Sequence, residues 1–496
     1  MQHKTGSNRN QIQFMSLDGW ISEDNPVRVI DAFADSLPLQ QIGFKHTTVK
    51  SEGCPPYSPL QLLKLYLYGY NGGARIRSSR KLETECKRNI ELMWLIEQMQ
   101  PSHMTIATFR KVHSRELKEV FKKFGMFLKS VGLIEGKEVC TDGTKIRGVN
   151  SKGNNHTQKD VNSYLEYLDK KTEEYLSQLD EADKDEQRGT NPLMVKQGDV
   201  KNLLEQLKGK KEKYTLLKQQ MHTEQSKQVS STDADTRLMQ GPDGGTLVGY
   251  NIQCTNDTKH SLIADFAVTN EGDRHALYNT SVSAKTILGV ETLTVIADKG
   301  YHCPTELAAC ERDNIITLVA PQEYFIPNAV PDGLYHADNF IYDKAQDCYS
   351  CPQGNELVTN GTWLKRKKQL GKQETEALYK EYKTPQCAFC PVKHLCTRNE
   401  RGRIITRFQY HETVEANNKR VIENKDSYKK RKCVSEHPFG TVKRAWGYTY
   451  TLLKGIKKVT AEIALMFTCY NIRRAISIMG VVGLINAINA WKVANG

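Results

Sequence analysis

The apolar run Thr292 to Ala297 constrains the fold of this chain more than any other stretch. It has the length of a buried strand and ends in Asp298 followed by Lys-Gly, which predicts a turn that presents the carboxylate at the edge of a sheet. A helical pattern from Thr305 to Cys310 follows, and Ile315 to Ala320 is a second apolar run. Alternating strands and helices predict an α/β layer in the middle of the chain.

Strand patterns also occur earlier in the chain. Val139 to Thr141 predicts a short strand that ends in a turn at Asp142-Gly143, and further strands are predicted over 247–254 and 261–268. Asp142 is then either a simple turn residue or a functional carboxylate at the end of a strand. The charged helical pattern over 160–228 predicts two helices folded back on each other, as an inserted arm.

Helical signals dominate the region before the first strand. Ser58-Pro59 predicts a helix start, Gly72-Gly73 its end, and Thr105 the cap of a later helix that continues to Phe124. A compact helical domain over roughly 50–130 follows from these signals. Its basic side chains fit either contacts to DNA phosphates or the solvated face of a helical bundle. They are Arg75, Arg77, Arg80, Lys81, Arg110 and Lys111.

Positive charge is concentrated near the C-terminus. The chain of 496 residues has a net charge of +13, and residues 401–460 contain 15 Lys and Arg against 5 Asp and Glu. Such a local excess indicates an anionic partner. Glu436 lies inside this segment, on a helix predicted to begin there with Ser435 as N-cap and to carry Lys443 two turns later. Glu436 is either a metal ligand beside phosphate-binding cations or a stray carboxylate on a solvated basic helix.

Met1 to Asn10 is polar, and the apolar tail over 461–490 is interrupted by Asn471, Arg473 and Arg474, so the sequence predicts a cytoplasmic protein without a membrane span.

Because the cytoplasm is reducing, the 13 cysteines are predicted to be thiols or metal ligands. Two Cys-x-x-Cys pairs predict a structural zinc site, against the alternative of four unligated thiols. The predicted ligands are Cys348, Cys351, Cys387 and Cys390, with Cys396 or His394 as substitutes.

Three acidic segments closely resemble the motifs of bacterial insertion-sequence DDE transposases. They are Thr141-Asp-Gly-Thr-Lys145, Val295-Ile-Ala-Asp-Lys-Gly-Tyr301 and Val434-Ser-Glu-His-Pro-Phe-Gly-Thr-Val-Lys-Arg444. The segment 55–112 is similar to the family's N-terminal helical domain, and 461–474 to its closing helix. The resemblance implies an α/β fold with an RNase H-like mixed sheet and flanking helices. It further implies an N-terminal all-α domain, a helical-hairpin insertion and the Cys-rich, zinc-ribbon-like insertion of one branch of these enzymes.

The resemblance also implies the residues of the site. The expected ligands of two Mg²⁺ or Mn²⁺ ions are Asp142, Asp298 and Glu436. The expected DNA contacts are Tyr428, Arg431, Lys432, Lys443, Arg444 and Arg110. Between Arg431 and Glu436 this chain has one residue more than a common form of the family's signature, so Lys432 is an alternative to Arg431.

The implied activity is transposition. The enzyme would hydrolyse phosphodiesters at the ends of its element and join the freed 3′-OH to target DNA, as a homodimer that binds terminal inverted repeats at the bacterial nucleoid. Two alternatives remain: a domesticated DNA-binding protein that does not cut, and a Mg²⁺-dependent nuclease without strand transfer. The expected domains are a helical DNA-binding domain at 1–130, a catalytic core at 136–159 and 229–339, the hairpin at 160–228, the Cys-rich insertion at 340–400 and the end of the core at 401–496.

Overall fold

The structure is a computed structural model that describes residues 10, 12, 14–48, 52, 55–187, 197–223, 227–241, 244–321, 333–365 and 378–495. Helices precede the first strand, as predicted. They are α1 (Leu17–Trp20), α2 (Pro26–Asp35), α3 (Leu39–Ile42), α4 (Pro59–Tyr70), α5 (Ser79–Glu85), α6 (Ile90–Leu95), α7 (His103–Val112) and α8 (Ser114–Ser130).

The helix start at Ser58-Pro59 is confirmed, because the Ser58 side chain accepts a hydrogen bond from the amide of Leu60. The helix predicted from Thr105 starts earlier, at His103, where Ser102 is the cap. It is also divided at His113 into α7 and α8, since that residue leaves the helical conformation.

A six-stranded mixed sheet forms the centre of the molecule. Its strands are β1 (Glu138–Arg147), β4 (Arg237–Gln240), β5 (Thr246–Asp257), β6 (Ile263–Thr269), β7 (Leu293–Ala297) and β8 (Ile315–Val319). Their order is β4, β5, β1, β7 and β8, and β6 pairs with residues 251–256 of β5. Pairing is antiparallel around β5 and parallel between β1, β7 and β8. The α/β class is therefore confirmed.

Smaller elements surround this sheet. The helices α9 (Gln158–Gln187) and α10 (Gln197–Thr223) pack against each other. A pair of short strands flanks them in the chain. These strands are β2 (Asn155–Thr157) and β3 (Gln228–Ser230), which pair in antiparallel orientation. The Cys-rich region contains β9 (Ile341–Asp343), β10 (Cys348–Ser350), β11 (Glu356–Val358), β12 (Tyr379–Tyr382), α13 (Lys393–Cys396) and β13 (Ile405–Phe408).

The remaining helices cover the sheet and its edges. They are α11 (Leu277–Leu288), α12 (Pro304–Arg312), α14 (His411–Glu423), α15 (Lys425–Phe439), α16 (Ile456–Met479) and α17 (Val481–Asn495). Two buried asparagines pair with the outer strands as a neighbouring strand would: Asn417 of α14 bonds both backbone groups of Val319, and Asn471 of α16 bonds both of Ile263. Each amide thereby pairs with one backbone N–H and one backbone C=O of an outer strand, which would otherwise lack hydrogen-bond partners. Among the described helices, none alone is long and apolar enough to cross a bilayer, and α16 with α17 reaches that composition only as a pair bent by 112°.

The N-terminal helices are fixed to the C-terminal part by a buried ion pair. Glu462 of α16 is fully buried, lies 3.3 Å from Nη1 of Arg77, and accepts hydrogen bonds from the amides of Leu452 and Leu453. Arg110 is also part of this interior. It is 6% exposed and donates to the hydroxyl of Tyr70, so it is buried in this structure, and its predicted contact with DNA stays a prediction.

A close contact at Gly72 completes the same interface. A Cβ at this position would lie 2.0 Å from Nε1 of Trp446, whereas a Cβ at Gly73 would meet nothing within 4 Å. Trp446 is 4% exposed and follows the helix of Glu436. The backbone at Gly72, after α4, therefore packs directly against the indole ring of Trp446.

We expect Gly72→Ala to lower the free energy of unfolding by about 1–3 kcal/mol, because the added methyl group has to displace a packed indole ring. Gly73→Ala is the matched control, with an expected change below about 1 kcal/mol. Urea unfolding of both variants measures the difference. Equal stability of the two variants would contradict the contact between Gly72 and Trp446.

Candidate active site

Two carboxylates lie side by side at the end of the parallel strands. Cys140 pairs with Ile296 and Thr141 with Ala297, so Asp142 and Asp298 are the next residues along β1 and after β7. Side chains two residues apart share one face of a strand. Cys140 and Ile296 pack against Val434 of α15. Both carboxylates therefore project toward the face of the sheet that α15 covers.

The backbone around the two residues differs from the prediction at Asp142. The predicted turn at Asp142-Gly143 is wrong, since β1 continues to Arg147 and pairs with β5 throughout. Gly143 is needed for another reason: a Cβ there would lie 2.4 Å from Oδ1 of Asp273. After Asp298 the predicted turn is confirmed, as a single turn of 3-10 helix whose Gly300 amide donates to Oδ1 of Asp298.

Burial and like charge raise the pKa of Asp142 to about 6. Burial is the larger cause, and the negative charge of Asp298 adds to it, while the amide of Gly143 and the guanidinium of Arg431 act in the opposite direction. Nη1 of Arg431 lies 3.9 Å from Oδ2 of Asp142. Two acidic groups held close together in a partly buried position form a site that favours a cation.

α15 brings the predicted basic residues to the sheet. Arg431 is 18% exposed and stacks over the ring of Tyr428, which packs with Val434 against the sheet. Lys432 is exposed to solvent. Of the two alternatives for the basic residue before Glu436, the structure therefore places Arg431 beside the aspartates.

The helix that carries Glu436 has other bounds than predicted. It begins at Lys425, so Ser435 is a buried interior residue rather than the N-cap. Pro438 lies inside the helix, where it has no amide hydrogen to donate, and a π-helical segment follows over Gly440–Ala445.

Glu436 itself is exposed on α15. Among the described residues, no three His, Cys, Asp or Glu side chains are close enough to hold a metal ion. Lys443 reaches β1 from the π-helical segment and donates to Oγ1 of Thr144 at 3.0 Å. Arg444 is exposed. The structure thus brings Asp142, Asp298 and Arg431 together and leaves Glu436 exposed on the helix that carries Arg431.

A polar network behind the aspartates was not predicted. Asp273 accepts hydrogen bonds from Lys145, Asn251 and Gln253, and Gln253 accepts one from Tyr301. This network ties β1 and β5 to the turn after Asp298. No spacing in the sequence indicated it, because its members come from four separate segments.

Four thiols of the Cys-rich region surround one cavity of about 30 Å³: Cys351, Cys387, Cys390 and Cys396. Burial raises the pKa of Cys396, and the other three sulfur atoms add to this shift. Cys348 does not line the cavity. It is 3% exposed on β10, with Sγ 3.9 Å from Oε1 of Gln346. The substitute ligand Cys396 thus occupies the position expected of Cys348.

Comparison with protein families gives two matches. A family described as transposase DDE domain matches residues 350–476, and one described as transposase domain (DUF772) matches residues 15–112. The first match contains Glu436 and the second covers most of the N-terminal helices. Both families are transposases, and this defines the class of the protein.

The two matches support an insertion-sequence DDE transposase, the family that the acidic motifs resemble; neither match covers half of the chain, and Asp142 and Asp298 lie outside both. No curated protein and no solved structure matches the chain significantly.

The raised pKa of Asp142 predicts a stability change with a definite sign. In the folded chain the pKa of this carboxyl is raised to about 6, from the ordinary value of 3.8 for an aspartic acid side chain. Its contribution to stability is therefore fully present below about pH 4 and is lost as the pH rises through about 6. We expect Asp142→Asn to stabilise the metal-free protein at pH 7.5 by on the order of 2 kcal/mol, and to have little effect at pH 4.

Urea unfolding in the presence of a chelator measures this difference at both pH values. Asp24→Asn, at an exposed position, is the control and should show no comparable pH dependence. An Asp142→Asn protein with the same stability gain at both pH values would refute the assignment of the shift.

Proposed function

We propose that this transposase cuts DNA at the ends of its element by metal-dependent hydrolysis and joins the freed 3′-OH to target DNA. The observation that carries the proposal is the pair Asp142 and Asp298 at the ends of adjacent parallel strands, with Arg431 beside it. Carboxylates and a guanidinium are the groups that a phosphoryl-transfer site requires.

An RNase H-like core is part of this proposal. In support, β6, β5 and β1 are antiparallel neighbours, and β7 and β8 extend the sheet in parallel from β1. The inserted arm α9–α10 leaves this core between β1 and β5. The acidic residues would then come from the central strand, from the adjacent parallel strand and from a helix packed on them.

The types of these residues suit divalent metal ions, but Glu436 would have to move toward the two aspartates, because no three such side chains in the described residues are close enough to hold an ion. Asp142 is destabilised as an anion by burial and by Asp298, and a bound cation would relieve both effects. Asp142, Asp298 and Glu436 would hold Mg²⁺ or Mn²⁺, which take oxygen ligands. When bound, two such ions activate the attacking oxygen and stabilise the leaving oxygen.

The protein's own side chains would orient the DNA. Arg431 lies beside Asp142, and Lys443 contacts Thr144 two residues further along β1, so each is suited to hold a phosphate near the reacting one. In the first step a water oxygen bonds to phosphorus, the bond from phosphorus to O3′ breaks, and O3′ takes a proton. In the second, that O3′ bonds to a target phosphorus and the target's own O3′ leaves with a proton. The first step consumes one water and breaks one phosphodiester, and the second step forms one phosphodiester for the one it breaks, so water is the only further reactant.

The N-terminal helices are suited to recognise the terminal repeats. A cleft of about 850 Å³ in this region is lined by Arg75, Arg80, Lys81 and Arg88. It lies within residues 15–112, the part that matches a transposase domain. Synapsis of two element ends further implies a homodimer that acts at the bacterial nucleoid.

Replacing Glu436 tests the activity. We expect Glu436→Gln to reduce Mg²⁺- or Mn²⁺-dependent cleavage of a plasmid with the native flanks on the order of 100-fold or more, because the amide is a poor metal ligand. Glu423→Gln, at an exposed position near the end of α14, is the matched control and should cut normally.

The outcomes separate the candidate functions. Normal cutting by Glu436→Gln contradicts the proposed triad. Binding of the flanks without cutting by the wild-type chain would favour a domesticated protein, and cutting without joined products would favour a nuclease.

We also propose a structural zinc site formed by Cys351, Cys387, Cys390 and Cys396. These four cysteines line one cavity with the volume of about one water molecule. Their side chains are not close enough to hold an ion in the described structure, so the thiolates would have to draw in around it to form the site. Such a site would link the segment Cys387 to Cys390 with the end of β10, next to Cys351. The ion would contribute to folding and take no part in the cleavage reaction.

Zinc content is the measurement that checks this ligand set. We expect Cys396→Ser to lose most of the bound zinc, and Cys348→Ser, a matched change outside the cavity, to keep it. Elemental analysis of both purified variants decides the matter. Loss of zinc from Cys348→Ser alone would restore the set predicted from the two Cys-x-x-Cys pairs.

A further inference from the structure

A second cationic surface begins at the residue after Asp142. It is a cleft of about 1100 Å³ between β1, β4 and the loop 270–275. Its basic side chains are Lys145, Lys227, Arg237, Arg274, His275 and Lys443. Glu271 is the one acidic residue among those that line it. The cleft therefore has the charge that attracts a polyanion, and it reaches Gly143, the residue after Asp142.

One of these cations has an unsatisfied donor. Asp273, next to Arg274, is saturated by Lys145, Asn251 and Gln253. Within the described residues, by contrast, Nε of Arg274 is buried without a hydrogen-bond partner and no carboxylate pairs with its guanidinium. An unsatisfied donor of this kind is costly and indicates a ligand that the protein alone does not supply.

The cleft lies apart from the surface assigned to the element end. The N-terminal helices contact the segment after α15 and the helix α16, through Gly72 with Trp446 and Arg77 with Glu462. None of the residues that line the cleft comes from these helices. A DNA end held by the N-terminal helices and by Arg431 would thus approach from the side of α15 and leave the cleft unfilled.

We propose that this cleft binds the target DNA strand. The inference rests on the proposed function, because joining requires two DNA segments at one pair of carboxylates. Lys227 and Arg274 contact phosphates of the target strand on the β4 side, and Lys443, which lies between the two surfaces, contacts the phosphodiester that is attacked. The attacking 3′-OH comes from the element end on the α15 side, so the two DNA segments meet at Asp142.

The double variant Lys227→Ala/Arg274→Ala of the full chain tests the proposal. Two reactions are compared: cleavage of an intact element end, and joining of a pre-cut end with a free 3′-OH to a supercoiled plasmid. We expect joining to fall about tenfold or more and cleavage to change less than about twofold, since only joining uses the cleft. Arg312→Ala, exposed at the opposite end of the sheet where α12 ends, should leave both reactions unchanged.

Several results would overturn the proposal. Equal loss of cleavage and joining would assign the cleft to the element end, and no loss of either would mean that it holds no DNA. Each single variant and its thermal unfolding are measured alongside, so that misfolding of the double variant is recognised.

A separate measurement distinguishes failure of the cleft from failure of the proposed function. If the wild-type chain cuts no DNA, the proposed function fails, and binding of a duplex of unrelated sequence still tests the cleft. A plot of log affinity against log salt concentration should be less steep by about two for the double variant, one for each lost phosphate contact. An unchanged slope would refute the cleft as a DNA site.

Discussion

The buried charge of Glu462 is the interaction on which the arrangement of the rest depends. Burial raises the pKa of this carboxyl, and only the surrounding groups, Arg110 and Arg77 with two backbone amides, favour its ionised form. Removing one partner of a buried pair typically costs about 3–5 kcal/mol, since the other charge is left without compensation. Arg77 belongs to the N-terminal region and Glu462 to α16. Neither region alone can therefore compensate the buried charge that it contributes.

The same interior fixes the segment that leads away from the candidate active site. The guanidinium of Arg77 also lies over the rings of Tyr448 and Tyr450, and the hydroxyl of Tyr448 donates to the carbonyl of Tyr70. These tyrosines follow directly after the π-helical segment that contains Lys443. The position of that lysine over β1 is therefore coupled to the docking of the N-terminal helices, so packed side chains connect these helices with the candidate active site.

Much of the site could be predicted where one local pattern is decisive. Asp298 follows a short apolar strand and precedes a Gly turn, and the structure has both. Asp142 was recognised from its motif, yet its surroundings were not: pairing with β5 extends the strand past Gly143, and that strand lies more than a hundred residues later in the chain. Ser435 resembles a helix cap in sequence, but the helix starts ten residues earlier because Val434 and Tyr428 are packed on the sheet.

Sequence by itself determined the α/β class, pointed to the transposase family and supplied the acidic and basic residues of the proposed phosphoryl-transfer site, because these depend on residue type and on spacing within single segments. Tertiary structure alone decided which of them meet. It buried Arg110 against Tyr70, placed Arg431 rather than Lys432 beside Asp142, and gathered Cys396 with three other thiols while Cys348 lies elsewhere. Each of these choices is made by packing between segments far apart in the chain, and spacing along one segment carries no information about that packing.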